Sequence, residues 1–190
     1  MNSRWPFSLQ GEEIRLQPLR FRDRRKWANI RAENREWLSQ WEATLPRVPG
    51  LEFDQQLPSF FEMLRSINYE ARNGRSYSLM IWHENNLVGQ ITMGGVIYGA
   101  MRGAHIGYWI DRNFSNRGFT TTAVSLMTQF GFSELNLHRI EINVRPENAA
   151  SIRVAEKAGY VFEGVRPRFL HIDGAWRDHH CFVKENHLII

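Results

Sequence analysis

A chain of 190 residues, 43% hydrophobic and 23% charged, is long enough to bury one sizeable core and too apolar to be disordered. Its one cysteine, Cys181, excludes an internal disulfide and any cysteine-built metal site and suits the cytoplasm, while no apolar run has the form of a secretory signal or the length to cross a bilayer. The net charge of +4 and the pI of about 9.6 come almost wholly from arginine, lysine occurring only at Lys26, Lys157 and Lys184, which favours an anionic partner without naming one.

Residues 1–12 precede the first periodic segment and are expected to form a flexible N-terminus. Glu13–Leu19 alternates as a strand that begins the sheet, and Phe21–Asn34 follows with Trp27, Ile30 and Arg31 at helical spacing. The start of that helix, Arg20-Phe21-Arg22-Asp23-Arg24-Arg25-Lys26, is a basic cluster. It reads either as a solvated helix face or as an attraction for RNA or an acidic peptide. Trp37, Leu38 and Trp41 form an aromatic stripe. Leu45–Leu57, with Pro46, Pro49, Gly50 and the following Pro58, is the most loop-like region and reads as a mobile connection. Phe60–Ala71 is helical again, with Phe60, Met63, Leu64 and Ile67 inward, and Asn73-Gly74 ends it. Ser76–Trp82 is apolar on both faces, as an interior strand is. A turn at Glu84-Asn85-Asn86 returns Leu87–Gly95 as its partner, and Arg102–Asp111 is the next strand.

The chain is organised around Ile106–Ala123. Ile106, Tyr108 and Ile110 alternate with Gly107 and Trp109 as a strand, Asp111 to Gly118 supplies turn chemistry, and Thr120–Thr122 opens a helix. Ala123, Val124, Met127 and Phe130 then recur at three- and four-residue steps. A strand therefore delivers the chain through a small-residue loop to a helix N-terminus, whose unpaired amides and partial positive charge make a seat for phosphate. The helix runs to about Leu135. Strand His138–Arg145, an Asn148-capped helix closed by Gly159, and a final hairpin of Tyr160–Leu170 and Ala175–Lys184 complete the order β, helices, βββ, α, β, α, ββ. Antiparallel hairpins mixed with right-handed crossovers give one α/β (α+β) domain over 1–190 around a single mixed sheet. His179, His180 and Cys181 do not make a metal site, because adjacent residues of a strand point to opposite faces. His138 and His105 read as structural.

Two blocks, the loop at Ser115–Thr120 and Asn148-Ala149-Ala150-Ser151 with Glu156-Lys157-Ala158-Gly159-Tyr160, resemble the GNAT superfamily of acetyl-CoA-dependent N-acetyltransferases. Leu16-Gln17-Pro18-Leu19 with Arg22-Asp23, Gly89-Gln90-Ile91, Ile106-Gly107-Tyr108-Trp109, His138-Arg139-Ile140-Glu141, Arg145-Pro146-Glu147-Asn148 and Ala175-Trp176-Arg177-Asp178-His179 are similar to its RimJ/RimL branch, the ribosomal-protein-alanine N-acetyltransferases and their relatives. The resemblance covers about Glu13–Lys184. It implies a central, mostly antiparallel twisted sheet flanked by helices, with splayed parallel strands at the acetyl-CoA site.

For the cosubstrate, the resemblance implies a backbone-amide cradle around the pyrophosphate at Ser115, Asn116, Arg117, Gly118, Phe119, Thr120 and Thr121. Gly118 is in place. Ser115 and Thr120 depart from the family pattern, where a long polar residue and a residue with little side chain are usual. Arg117 either adds a charge contact or faces water. Trp109 and Ile110 would offer main-chain groups to the pantetheine arm, and Asn148 would cap its helix and touch the same arm. No metal is implied.

Direct transfer needs a neutral amine, a polarised thioester carbonyl and a proton for the departing thiolate. Many relatives supply that proton from a tyrosine seven positions after the capping asparagine, and here that position is Ala155. Ser151 matches the serine of RimL-like members; it reads equally as a first-turn serine that tidies a helix end. The slot of the glutamate that serves as base in some relatives is Asn143, and Glu141, two residues earlier on the same face, is either a base acting through water or an ion-paired carboxylate. An α-amine, with an unperturbed pKa of about 7.7 to 8.0, suits a site poor in bases better than a lysine near about 10.4. Three functions follow: an N-acetyltransferase for a protein N-terminus (Ala, Ser or Thr), with possible ribosome or ribosomal-protein association; a small-amine N-acetyltransferase for an aminoglycoside, polyamine or amino acid; or a non-catalytic acyl-CoA-binding module. Carboxylates lining the acceptor groove would favour the second, and a basic rim from Arg20 to Lys26 the first.

Overall fold

Tyr77-Ser78-Leu79-Met80-Ile81-Trp82 offers almost no polar face, and only a strand covered on both sides can hide it. The structure, a computed structural model that describes residues 5–50 and 58–189, places it in the middle of an eight-stranded sheet. The strands are β1 (Leu9–Gln10), β2 (Ile14–Gln17), β3 (Tyr77–His83), β4 (Asn86–Ile97), β5 (Gly103–Ile110), β6 (Arg139–Val144), β7 (Val161–Ile172) and β8 (Ala175–Glu185), in the spatial order β1-β2-β3-β4-β5-β6-β8-β7. Every neighbouring pair is antiparallel except β5 and β6.

Among the described residues five helices cover the two faces: α1 (Arg24–Glu33), α2 (Arg35–Ser39), α3 (Phe60–Arg72), α4 (Phe119–Ser133) and α5 (Ala149–Lys157). On one face Leu79, Ile81, Ile91, Ile106, Ile140 and Ile142 are buried against Ala123, Val124, Met127 and Phe130 of α4 and Ala155 of α5. On the other, Met80, Trp82 and Leu87 pack with Leu19 and with Ile30 of α1, joined by Phe60, Met63 and Leu64 of α3 and by Trp109. Alternation along β3 thus splits neighbouring residues between two cores, and each fully buried Leu or Ile contributes about 1.5 to 3 kcal/mol. The mixed α/β sandwich expected from the element order is the fold observed.

The helix starts follow local chemistry. At α3, Ser59 and Glu62 cap each other's amides reciprocally, and the helix ends at Asn73-Gly74 as expected. The first turn expected of the Phe21 helix is instead a 3-10 turn, Phe21–Asp23, with the Arg20 amide donated to the Asp23 carboxylate over 3.0 Å.

The expectation for the N-terminal arm meets a different outcome. Residues 1–4 lie outside the described residues, but in place of a flexible arm over 5–12 the chain is anchored. Phe7 stacks on Phe130 at 4.3 Å, Trp5 donates its indole N–H to Asn68 Oδ1 over 2.8 Å, and Leu9–Gln10 pairs with β2. Two bulky aromatic rings find a core that no short-range pattern announces. Of the connection Leu45–Leu57, residues 51–57 lie outside the described residues and 45–50 form no helix or strand. Among the described residues no helix is long and apolar enough to cross a membrane.

Candidate active site

The only parallel neighbours in the described sheet are joined over a short stretch. β5 and β6 pair at three positions, Gly103 with Arg139, Ala104 with Ile140 and His105 with Glu141, and then part. From Ile106 to Ile110 the β6-facing edge of β5 has no strand partner, while its other edge stays bonded to β4 up to the pair Gly89–Ile110. A Cβ at Gly89 would stand 2.4 Å from the Trp109 carbonyl oxygen, so only a residue without a side chain lets β4 hold the end of β5 so closely. The result is a wedge whose one wall is a row of main-chain groups at Trp109 and Ile110, suited to an extended polar ligand laid along them.

At the open end of the wedge the chain turns into α4. The Asp111 carboxylate accepts the Asn113 amide over 2.9 Å, and buried Asn34 accepts the Arg112 amide through Oδ1 over 2.9 Å. Asn116 and Gly118 then take left-handed conformations with φ of 62° and 82°, and Gly118 starts the helix without a side-chain cap. The amides of Phe119, Thr120 and Thr121 at this helix start are left for a ligand. Nothing lies within 4 Å of a Cβ built on Gly118, so the space before these amides is clear. The Phe119 ring is buried against His83 at 4.5 Å, which leaves only its main chain to take part. Arg117 is exposed, with its guanidinium 5.0 Å from the centre of the Phe114 ring. Asn116, Arg117, Gly118, Thr120 and Thr121 therefore share one helix mouth.

Asn148 caps α5, its Oδ1 accepting the Ser151 amide over 3.0 Å, which is the role its position implied. Ser151 Oγ donates to the Tyr108 hydroxyl over 2.8 Å, and that hydroxyl donates to the Ser151 carbonyl over 3.1 Å. The phenol of β5 and the first turn of α5 thus bridge the wedge. Burial pushes the Tyr108 phenol up to about 12 even though the Ser151 bond pulls it down, so it stays protonated at neutral pH. Ala155, where many relatives place a tyrosine, is fully buried in the core. Tyr108 is the site residue that sequence reasoning missed: its alternation with Ile106 and Ile110 marks an apolar strand face, and only its hydroxyl hints at more.

Glu141 stands differently. Its carboxylate is taken by Arg139 Nε at 3.0 Å and Arg166 Nη1 at 2.7 Å, and Arg139 also pairs with Glu163. Burial alone would raise its pKa, but the hydrogen bonds from Arg166 and Arg139 outweigh it and hold the carboxyl below the ordinary range. A carboxylate so held is a poor proton acceptor, and of the two sequence readings the ion-paired one describes it. Glu141→Gln is expected to lower stability by about 1 to 3 kcal/mol in denaturant titrations at pH 7, because it leaves two guanidinium groups short of a partner. Since the folded pKa is depressed, the difference from wild type should be full above the ordinary carboxylate value of 4.5 and shrink as pH falls through it. A pH-independent difference would mean that packing, not charge, sets the effect.

The opposite face of the wedge lies under α1 and α2. Gly107 is exposed there with no atom within 4 Å of a built Cβ, and Asn143 carries a sealed Oδ1 with no hydrogen-bond partner. The aromatic stripe roofs this groove with arginine: Arg31 lies over Trp109 at 5.2 Å, Arg112 over Trp37 at 5.9 Å and Arg145 over Trp41 at 5.3 Å. The carboxylates beside it are matched, Glu42 with Arg31 at 2.5 Å and Glu147 with Arg145 at 3.2 Å. A bond from Arg145 to the Gln40 carbonyl and a bridge between Ala43 and Ile172 tie the roof to β6 and to the last hairpin. His179 and His180 point to opposite faces, and no group of three potential metal ligands occurs among the described residues.

Comparison with known proteins meets this geometry from outside. Residues 13–161 match the family described as Acetyltransferase (GNAT) domain. A probable N-acetyltransferase of Bacillus subtilis, YjcK, is 31% identical over 182 residues, covering 94% of this chain and 97% of that protein. The [ribosomal protein uS5]-alanine N-acetyltransferase of Escherichia coli is 28% identical over 83% of this chain and 80% of its own length. Among solved structures, Mycobacterium smegmatis RimJ in complex with CoA-disulfide superposes with a TM-score of 0.86 at 33% identity, over 97% of this chain and 90% of that one.

Proposed function

The chain belongs to the acetyltransferase (GNAT) domain family and is an N-acetyltransferase, and from that premise we propose that it transfers acetyl from acetyl-CoA directly to the N-terminal amine of a protein. The observation that carries the choice of acceptor is the charge of the groove. A polyamine or aminoglycoside needs unpaired carboxylates, whereas Glu42, Glu141 and Glu147 are each matched to arginine, and the stretch leading into α1 exposes Arg20, Arg22, Arg24 and Arg25. An uncharged α-amine on an extended peptide is compatible with both, and a ribosomal protein is the acceptor this reading names. The likeness to RimJ and to the uS5-alanine enzyme points the same way.

The residues present fit acetyl-CoA: the helix mouth at Asn116–Thr121 would hold its pyrophosphate on amides, and the free edge of β5 at Trp109 and Ile110 would hold the pantetheine arm. The cosubstrate supplies the activated acetyl group. The Ser151–Tyr108 pair holds a proton at Ser151 Oγ for the departing thiolate, and Asn148 fixes the turn that presents it. The test is to incubate the protein with acetyl-CoA and a panel of peptides beginning with Ala, Ser or Thr, with spermidine and an aminoglycoside in parallel, and to follow CoA release and product mass. Acetyl on the peptide α-amine is expected. Transfer to the small amines alone would overturn the reading, as would CoA binding without transfer to anything.

A further inference from the structure

On the face of β6 that looks into the groove, Asn143 lies opposite Cys181 of β8, and the next β8 residue on that face is His179, diagonal to Asn143. His179 is 3% exposed, and its Nδ1 lies 3.0 Å from the Arg177 carbonyl oxygen. A carbonyl only accepts, so Nδ1 carries the hydrogen and the lone pair of the neutral ring sits at Nε2. Among the described residues Nε2 makes no hydrogen bond, and it is not one of the sealed polar atoms, unlike Asn143 Oδ1. A fixed, unpartnered lone pair therefore stands on the acceptor face.

We infer that His179 is the general base of the transfer, taking at Nε2 the proton that the acceptor amine gives up. The inference rests on the reading above only in needing an amine as acceptor. The amine nitrogen bonds to the thioester carbonyl carbon and the carbon–sulfur bond breaks. Nitrogen loses one proton to His179, and sulfur gains one from Ser151 Oγ. The amide keeps one N–H, and solvent later restores both side chains. Burial lowers the pKa of His179, and Arg145 lowers it further against the Arg177 bond, Glu147 and Asp178, so the ring is uncharged at neutral pH. Arg166 is its register partner on β7, with its guanidinium over the Phe169 ring that His179 meets edge-on at 5.7 Å.

The other candidates fall away on placement. His105 shares the face but sits at the closed end of the wedge, its ring against Gly94 and Gly95. His180 points to the far face among Phe162 and Phe182. Glu141 is held by two arginines.

The experiment is a kcat profile from pH 5 to 9 at saturating acetyl-CoA for wild type, His179→Gln and Asn143→Ala, with acetyl-CoA affinity measured for each. Wild type should show an acidic limb below the ordinary histidine value of about 6.5. His179→Gln should bind acetyl-CoA normally, lose about 100-fold or more in kcat, lose that limb and regain rate with added imidazole. Asn143→Ala should keep the limb, since its oxygen is closed off from the acceptor. A His179→Gln profile that matches wild type overturns the inference. If that variant fails to fold, nitrogen NMR of the wild-type ring decides: a bare Nε2 at pH 7 supports the assignment, and an Nε2–H tautomer overturns it. Should wild type acetylate a small amine and no peptide, the acceptor reading falls and the same comparison runs on that amine.

Discussion

Gly118→Trp is expected to weaken acetyl-CoA binding at least about 100-fold in a calorimetric titration, the largest loss from any single change in the helix mouth. A side chain at a φ of 82° strains the backbone by about 1 to 3 kcal/mol, and the indole would fill the clear space in front of the Phe119 and Thr120 amides. Arg117→Ala supplies the contrast. Its guanidinium is exposed and lies on the Phe114 ring, so removing it should cost no more than about 1 kcal/mol, less than tenfold in affinity. Equal damage from the two changes would mean that charge rather than main-chain amides seats the pyrophosphate. Wild-type affinity in Gly118→Trp would put the seat elsewhere.

Ser151→Ala should lower kcat by about 100- to 1,000-fold with acetyl-CoA affinity unchanged, because in the proposed transfer the hydroxyl it removes holds the proton the thiolate needs. Tyr108→Phe should lower kcat about tenfold, since Ser151 Oγ then loses the partner that fixes its rotamer. Two groups bonded at 2.8 Å act as a unit, so the double variant should be no slower than Ser151→Ala alone. Rates that multiply, or a Tyr108→Phe loss larger than that of Ser151→Ala, would make the phenol the donor and the serine its support.

Much of this arrangement is legible along the chain, and what is not has a physical cause. Strands β3 and β6 and helices α3 and α4 announce themselves because apolar periodicity is set by burial, and Asn148 announces the start of α5 because capping is local: the bond to Ser151 spans three residues. The Tyr108–Ser151 pair spans 43 residues and exists only because two strands part between them. The arginines that take Glu141 are Arg139, two residues away along its own strand, and Arg166, from a strand that lies beyond β8. The final hairpin is predictable as a hairpin, but its insertion with β8 rather than β7 against β6 is what sets His179 beside Asn143, and no pattern in Tyr160–Lys184 states that order. The departures at Ser115 and Thr120 matter less than they look. Ser115 turns its hydroxyl onto the Arg112 carbonyl at 2.7 Å, and the mouth is made by main chain on either side of Gly118.

The three residue pairs that join β5 to β6 are the strand-to-strand seam between a five-stranded and a three-stranded half of the described sheet. Each half has its own antiparallel ladders, and beyond the seam they meet through α4 and α5 and through the ties of Gln40 to Arg145 and Ala43 to Ile172. A ligand seated in the proposed cleft would bridge the two halves. At a free concentration a hundred times its dissociation constant, such a ligand adds about 2.7 kcal/mol to the folded state, a sizeable share of what holds a domain of this size together. Withdrawal of acetyl-CoA is then expected to lower the protein's resistance to proteolysis, with cleavage appearing first at the unpaired edge of β5.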